Sequence, residues 1–422
     1  MHAILASIGT DGDIVPYVGL AAELRKRGHR VTLAVAEPWR KTAEELSLEF
    51  SPLVTADEDR QMVEHPDFWH PLKGPMIIAK WGRQFVVRQY HQLAGLCDSS
   101  DTILIANMGL LPARVVNEKL RIPFITGVLQ PWVIKSSIEP PVMPGRLTLP
   151  KWAPALVAKA YWRMFNLTGD VLVGKELNQL RQSLGMQPIS QVFEWWFSEE
   201  RIIGMFPDWY AAPQSDWPPH VRLAGFPMFD GRADRELPPE VRHFCLEAGD
   251  PPIAFTFGTG MVHGGKLFSA AIRACQLLGK RGILLSRRST ELPTSLPASI
   301  LVCPFASFSK LFPLCSAVVH HGGVGTTAKA LASGTPQLIT PLAFDQLDNS
   351  IRVRRLGAGD FIKARRVTGD NLAEMLRLLM SGPTKQRCGE IAERFVGVSA
   401  LAQAGDWVEE LALKAASTKV PA

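Results

Sequence analysis

The feature that most limits the possible folds is the stretch from Val302 to Asn349, VCPFASFSKLFPLCSAVVHHGGVGTTAKALASGTPQLITPLAFDQLDN. An apolar run, Ala317 to Val319, leads into His320-His321-Gly322-Gly323, and a helix begins near Gly325-Thr326-Thr327. A second apolar run, Pro336 to Thr340, ends at Pro341 and is followed by Asp345-Gln346. Strand, glycine loop, helix, strand is the order of an α/β fold. The loop also carries a chemistry. Glycines let backbone approach a diphosphate closely. A helix N-terminus offers unpaired N–H groups and the positive end of the helix dipole. His321 and Thr326 can donate to phosphate oxygens, while Asp345 and Gln346, after a strand end, can bind sugar hydroxyls. Each part suits one piece of a nucleotide-sugar.

The N-terminus repeats the pattern. Ala3 to Ile8 is a nearly continuous apolar run, as in a strand buried on both faces. GTDGD is a loop, Ile14 to Arg27 reads as a helix closed by Gly28, and Val31 to Ala36 reads as the next strand. Thr102 to Ala106, a helix over Pro112 to Lys119, and Pro123 to Val128 extend this into a first doubly wound domain. Residues 216–240 are rich in proline, lack periodicity and read as a linker. Ile253 to Phe257, a helix over Lys266 to Leu278, Ile283 to Ser286, and Ile300 to Cys303 begin a second α/β domain. The final helix, about Gln403 to Ala416, has room to cross back to the first domain.

A chain of 422 residues suits two domains of this size. Six cysteines with no CxxC read as buried thiols rather than a zinc site or disulfide framework. The N-terminus has too short an apolar run for a signal peptide, and no run approaches the roughly 20 residues of a membrane span. The expected setting is a reducing cytoplasm, with peripheral contact at the inner membrane face. The net charge of +6 is compatible with anionic nucleotides or an anionic lipid surface, and equally with an ordinary basic enzyme. Of the eleven tryptophans, only Trp407 follows residue 220. This aromatic N-terminal half, including Trp132 and Trp162, is either core or an apolar acceptor surface.

The 302–349 stretch resembles the donor-binding signature of family 1, UDP-glycosyltransferase-like enzymes, which includes plant, antibiotic and sterol glycosyltransferases. The resemblance implies the GT-B fold: two facing Rossmann-like domains with an interdomain cleft. It makes residues 1–215 the acceptor-binding domain, 241–400 the nucleotide-sugar-binding domain and 401–422 a C-terminal helix returning to the first. On the donor side it implies His321 and Thr326 as phosphate contacts, Gly258, Thr259, Gly323 and Gly325 as sites of close backbone approach, and Asp345-Gln346 as the pair that reads sugar hydroxyls. Asp345 also reads as a helix cap. Phe305-Ala306 lies where relatives contact the base. The chain departs from the pattern at Arg287-Arg288, which reads either as a ribose or phosphate grip or as a solvated pair.

On the acceptor side the resemblance makes Asp13 the base that takes the acceptor's proton. Asp13 also reads as the N-cap of the helix beginning at Ile14, and Asp11 is a weaker candidate. Gly12 and Ile14 flank the same loop. The implied reaction is a single displacement with inversion. It needs neither metal nor cofactor, the nucleotide-sugar being a co-substrate.

The stretch from Phe206 to Gly231, the opening MHAILASIGTDGDIVPYVGLA and the run FDQLDNSIRVRRLGAG are similar to a branch holding sterol glucosyltransferases and the bacterial rhamnosyltransferase of rhamnolipid synthesis. That similarity implies a dTDP-L-rhamnose donor and a hydroxyacyl lipid acceptor. UDP-sugar transfer to a sterol, polyketide or other small aglycone is the competing enzyme reading. A dinucleotide oxidoreductase would need GxGxxG, which GTDGDI does not supply. A non-catalytic sugar-nucleotide binder would lack Asp13 or the His-Gly-Gly loop. No basic run interleaved with aromatics suggests a nucleic-acid partner.

Overall fold

The computed structural model describes residues 1–98, 101–143, 147–230, 236–247, 249–258, 264–287, 292–293 and 295–419. The chain divides into two compact units. Unit 1 comprises Met1–Phe68, Leu72–Gly231 and Ser399–Ala422, and unit 2 comprises Trp69–Pro71 and Arg232–Val398.

Unit 1 holds seven strands: β1 (His2–Ala6), β2 (Arg30–Ala36), β3 (Glu49–Val54), β4 (Thr102–Asn107), β5 (Phe124–Val128), β6 (Arg201–Gly204) and β7 (Val221–Leu223). They form one parallel sheet in the order β3-β2-β1-β4-β5-β6-β7. Unit 2 holds β8 (Ile253–Thr256), β9 (Gly282–Leu285), β10 (Ile300–Cys303), β11 (Ala317–His320), β12 (Gln337–Ile339) and β13 (Gly359–Phe361). Their parallel order is β10-β9-β8-β11-β12-β13. Each sheet thus grows outward in both directions from its first strand. Where the direction reverses, between β1 and β4 and between β8 and β11, successive loops diverge and leave a crevice at the carboxyl edge.

The helices that position the sites are α1 (Asp11–Lys26), α2 (Lys73–Leu96), α3 (Leu111–Leu120), α4 (Ala155–Gly169), α5 (Gly265–Leu278), α6 (Val324–Ala332), α7 (Gln346–Leu356), α8 (Gly369–Leu379) and α9 (Ala400–Lys419). The strands are continuously apolar because helices cover both faces. In unit 2, Ile253, Phe255 and Val319 pack under α5 and α8 with Phe268 and Leu372. The alternate residues Ala254 and Val318 pack on the other face with Leu311 and Phe312. In unit 1, Ile4, Leu104 and Phe124 meet Leu93 of α2 and Val116 of α3.

Two expectations shift. Helix α1 starts at Asp11 rather than Ile14, because Thr10 supplies the cap. Within the stretch read as a linker, β7 pairs Val221 with Ile202 and Leu223 with Gly204 as the last strand of the unit 1 sheet. Three residues flanked by prolines are too short to show a strand period, so the sequence hides it.

The C-terminal helix α9 belongs to unit 1. Arg27 donates to Asp406 at 2.7 Å, to Glu409 at 2.8 Å and to the Ala402 carbonyl at 2.7 Å. Glu410 accepts from Arg201 at 2.9 Å and from Arg222 at 2.7 Å.

Candidate active site

In unit 2, β8 and β11 pair with Thr256 opposite His320. The residues that leave these strands, Gly258 and His321, therefore emerge at one level of the crevice. Gly258 has φ +97°, and a Cβ built on it would meet the His321 ring at 3.3–3.4 Å. A Cβ on Gly323 would come within 2.7 Å of His321 Nε2. The two glycines cradle the imidazole from two sides, so their immediate reason is the ring itself. Thr259 and Arg288 lie outside the described residues.

His321 is half-buried as a residue, but its Nδ1 is buried and meets no hydrogen-bond partner among the described residues. Burial pushes its pKa down to about 4, with the Thr256 backbone opposing, so the ring is neutral near pH 7. Thr327 Oγ1, in the first turn of α6, is also buried and meets no hydrogen-bond partner among the described residues. A buried polar atom left unmatched calls for an explanation, such as an ordered water, an ion or a ligand.

His320 has a different task. It is fully buried, its Nδ1 accepts from the Gly322 amide at 3.1 Å and its Nε2 lies 2.9 Å from Gln337 Oε1. An accepting Nδ1 places the proton on Nε2, which donates to Gln337. Burial first, and the neighbouring His321 second, push its pKa down to about 3. A neutral His320 therefore holds the turn that presents His321.

Helix α6 begins at Val324 with Gly323 as its cap, and no side chain caps it. Its first N–H groups are thus open to an anion. Thr326 is half-buried in that turn, and Gly325 is exposed with open space where a Cβ would go.

The Asp345-Gln346 pair divides its work. Asp345 precedes α7 but makes no side-chain capping bond. Its Oδ2 instead accepts from Asn349 Nδ2 at 2.7 Å, and the same Nδ2 donates to the Gly322 carbonyl at 2.9 Å. Gln346 is buried, and its Oε1 accepts from the Leu342 and Ala343 amides at 2.8 and 3.1 Å. Any hydroxyl contact from Gln346 therefore falls to its Nε2. Immediately before the pair, Phe344 has φ +55°, an unusual conformation for a bulky side chain and one that concentrates at functional sites.

Phe305 is exposed at the same carboxyl edge, after β10, and the Arg287 guanidinium lies 5.8 Å from its ring centroid. The Ala306 side chain faces the core rather than the edge, so only its backbone is available to a base.

In unit 1, the crevice between β1 and β4 holds the GTDGD loop. Asp13 Oδ2 accepts from the Thr10 amide at 2.9 Å and from Thr10 Oγ1 at 3.1 Å. The cap expected of Asp13 belongs to Thr10, and Asp13 is its partner at the third helical position. Gly9 has φ +131°, and a Cβ there would lie 2.4 Å from Asp13 Oδ2. Burial raises the Asp13 pKa, against the lowering by the Thr10 bonds. Both bonds fall on Oδ2, so Oδ1 takes no part in the cap. Asp59 is also a raised carboxyl, pushed up to about 6 by burial first and the Asp11 charge second.

Of the other acceptor-side candidates, Ile14 faces the core and Gly12 is exposed. Trp132 Nε1 donates to the Val142 carbonyl at 3.1 Å. Trp162 is buried with Leu149 and Ala158, and its Nε1 donates to Ser137 Oγ at 3.0 Å. Its polar tip is occupied, so packing is its observed role.

Sequence reasoning missed Thr10, Asn349 and Phe344. The Thr-x-x-Asp spacing of Thr10 and Asp13 was readable as a capping box. Asn349, four residues after Asp345, was readable as the next turn of the same helix face. Nothing in the sequence marks the positive φ of Phe344.

Residues 3–138 match the glycosyltransferase family 28 N-terminal domain. Residues 281–397 match the C-terminal domain of erythromycin biosynthesis protein CIII-like proteins. The chain is 27% identical to glycosyltransferase GtfE of Amycolatopsis orientalis, covering 93% of each. It is 26% identical to sterol 3-beta-glucosyltransferase UGT80B1 of Arabidopsis thaliana, over 94% of this chain and 66% of that protein. The structure superposes with TM-score 0.62 on SsfS6, a Streptomyces sp. SF2575 glycosyltransferase complexed with thymidine diphosphate, at 19% identity, covering 97% of this chain and 99% of the other.

Proposed function

We propose that this glycosyltransferase of GT-B fold, whose residues 3–138 match the family 28 N-terminal domain and residues 281–397 the CIII-like C-terminal domain, moves a hexose or deoxyhexose from a nucleotide-diphosphate sugar to the hydroxyl of a lipid-like hydroxyacyl acceptor. Our best reading of the donor is dTDP-L-rhamnose. The observation that carries donor binding is His321, cradled by Gly258 and Gly323 at the β8/β11 crevice with its Nδ1 unmatched.

The proposed chemistry is one displacement. Asp13 Oδ1 takes the proton of the acceptor hydroxyl as that oxygen attacks the anomeric carbon. The bond from that carbon to the diphosphate oxygen breaks on the opposite face, inverting the centre. The nucleoside diphosphate leaves with the electron pair. Its growing charge is met by the N-terminus of α6, Thr326 and His321. Burial supports Asp13 in this role, because a raised pKa makes a carboxylate a stronger base. Metal independence is part of the proposal.

A UDP-sugar donor and a sterol or other small aglycone form the second reading, which the name of the Arabidopsis relative favours. Thymidine diphosphate bound to a protein of the same fold favours the first. Calorimetry with dTDP-rhamnose, UDP-glucose and the free nucleotides, followed by transfer assays, separates them. Preference for the dTDP compounds, with transfer to a hydroxyacyl lipid, is the expected result. Preference for UDP-glucose moves the protein to the second reading, and binding of neither overturns both.

A further inference from the structure

Helix α4 is apolar on both of its faces. Inward, Ala158 and Trp162 pack with Leu149, and Phe165 lies against them. Outward, Leu156 is 79% exposed, Met164 65% and Leu167 54%. Val171, in the wider turn Asp170–Gly174 that continues the helix, is 78% exposed. Positions 156, 164, 167 and 171 recur at whole-turn intervals and so form one stripe. Trp152, just before the helix, is 82% exposed. A contiguous exposed apolar patch marks an interaction site.

The two charges on α4 itself, Lys159 and Arg163, are both positive. Lys151, Lys159, Arg163 and Lys175 are exposed. Arg163 and Lys159 lie at one edge of the stripe by helical spacing. Lys151 pairs with Glu139 at 3.6 Å, while Lys159 and Arg163 make no ion pair with a described residue. Asp170 is the single carboxylate between residues 147 and 175, and it accepts from the Gln191 and Val192 amides. A symmetric pairing with a second copy would bring these cations together. An anionic lipid surface suits both halves of the patch. Apolar chains enter the boundary, tryptophan favours the interface, and lysine and arginine reach the phosphates. No helix among the described residues is long and apolar enough to cross a membrane, so this one would lie in the interface plane.

We propose that the outer face of α4, with Trp152 ahead of it, docks the protein on an anionic lipid surface. Trp152, Leu156, Met164, Leu167 and Val171 enter the headgroup boundary, and Lys159 and Arg163 meet lipid phosphates. This deepens the lipid-acceptor reading, on which its biological sense rests.

The test is co-sedimentation of the full chain with phosphatidylcholine vesicles, with and without phosphatidylglycerol. Binding is expected on the anionic vesicles and falls as salt rises. Leu156→Glu with Met164→Glu, and separately Lys159→Glu with Arg163→Glu, each weaken it by roughly tenfold or more. Melting temperatures stay put because these side chains face outward. Absence of wild-type binding to anionic vesicles, or undiminished binding by both double variants, overturns the proposal. So does a dimer by sedimentation velocity that Leu156→Glu with Met164→Glu dissolves. The two readings fail separately. Vesicle binding without transfer to a hydroxyacyl lipid overturns the acceptor reading alone. Transfer to that lipid in detergent without vesicle binding overturns the docking face alone.

Discussion

At the scale of single residues, Asp13 and His321 are both held by glycines that leave them room. Asp13→Asn keeps an oxygen for the Thr10 bonds but removes the base. Transfer is expected to fall by roughly 10²–10⁴-fold with donor affinity unchanged by calorimetry. A base works deprotonated, so kcat/KM should rise with pH through the Asp13 pKa, which burial moves upward from the ordinary Asp value. Asp59, with a pKa of about 6, is the rival for the same limb. Asp59→Asn should keep the limb; its disappearance would move the assignment. For the donor, His321→Ala is expected to cost roughly tenfold in nucleotide affinity, about 1.4 kcal/mol. Gly323→Ala should produce a similar loss by displacing the ring, since its Cβ would lie 2.7 Å from Nε2. Gly325→Ala meets open space in the protein, so lost donor affinity there would report the ligand's own approach to α6.

At the scale of elements, a polar tie joins two loops of the proposed donor site. Asn349 connects the start of α7 to the Gly322 carbonyl after β11. Asn349→Ala leaves that buried carbonyl unmatched, at about 1–3 kcal/mol of stability. Melting temperature and donor affinity should fall together, unlike the affinity-only loss of Gly323→Ala. The glycine loop and the helix after it were legible in the sequence because their signals are local. Gln346 was readable as a candidate for the site, but not the diversion of its Oε1 to the Leu342 and Ala343 amides. That bond depends on a loop whose turn is set by the positive φ of Phe344. Strand β7 escaped for the opposite reason: its identity lies in its partner β6 rather than in its own three residues.

At the scale of the whole molecule, acid should unfold the protein through its neutral histidines. His320 and His321 are pushed down to about 3 and about 4, from about 6.5 in an unfolded chain. The unfolded state therefore binds protons that the native state refuses. Their contribution is fully present above about pH 6.5 and is lost progressively as pH falls toward 3. Melting temperature against pH should drop across that window, and His320→Asn should flatten the drop from an already lower plateau.

The sequence by itself determined the two α/β units, the glycine loop with His321, and Asp13 in the first turn after β1. Each follows from apolar periodicity, glycine spacing or a capping pattern, which act over a few residues. Only the tertiary structure decided the rest. It matched Thr256 with His320 across β8 and β11, which set Gly258 against the His321 ring. It tied α9 to unit 1 through Arg27, Arg201 and Arg222. It buried Trp162 while leaving Trp152 exposed. Those outcomes depend on partners far away along the chain, and a residue's type does not say which partner it will meet.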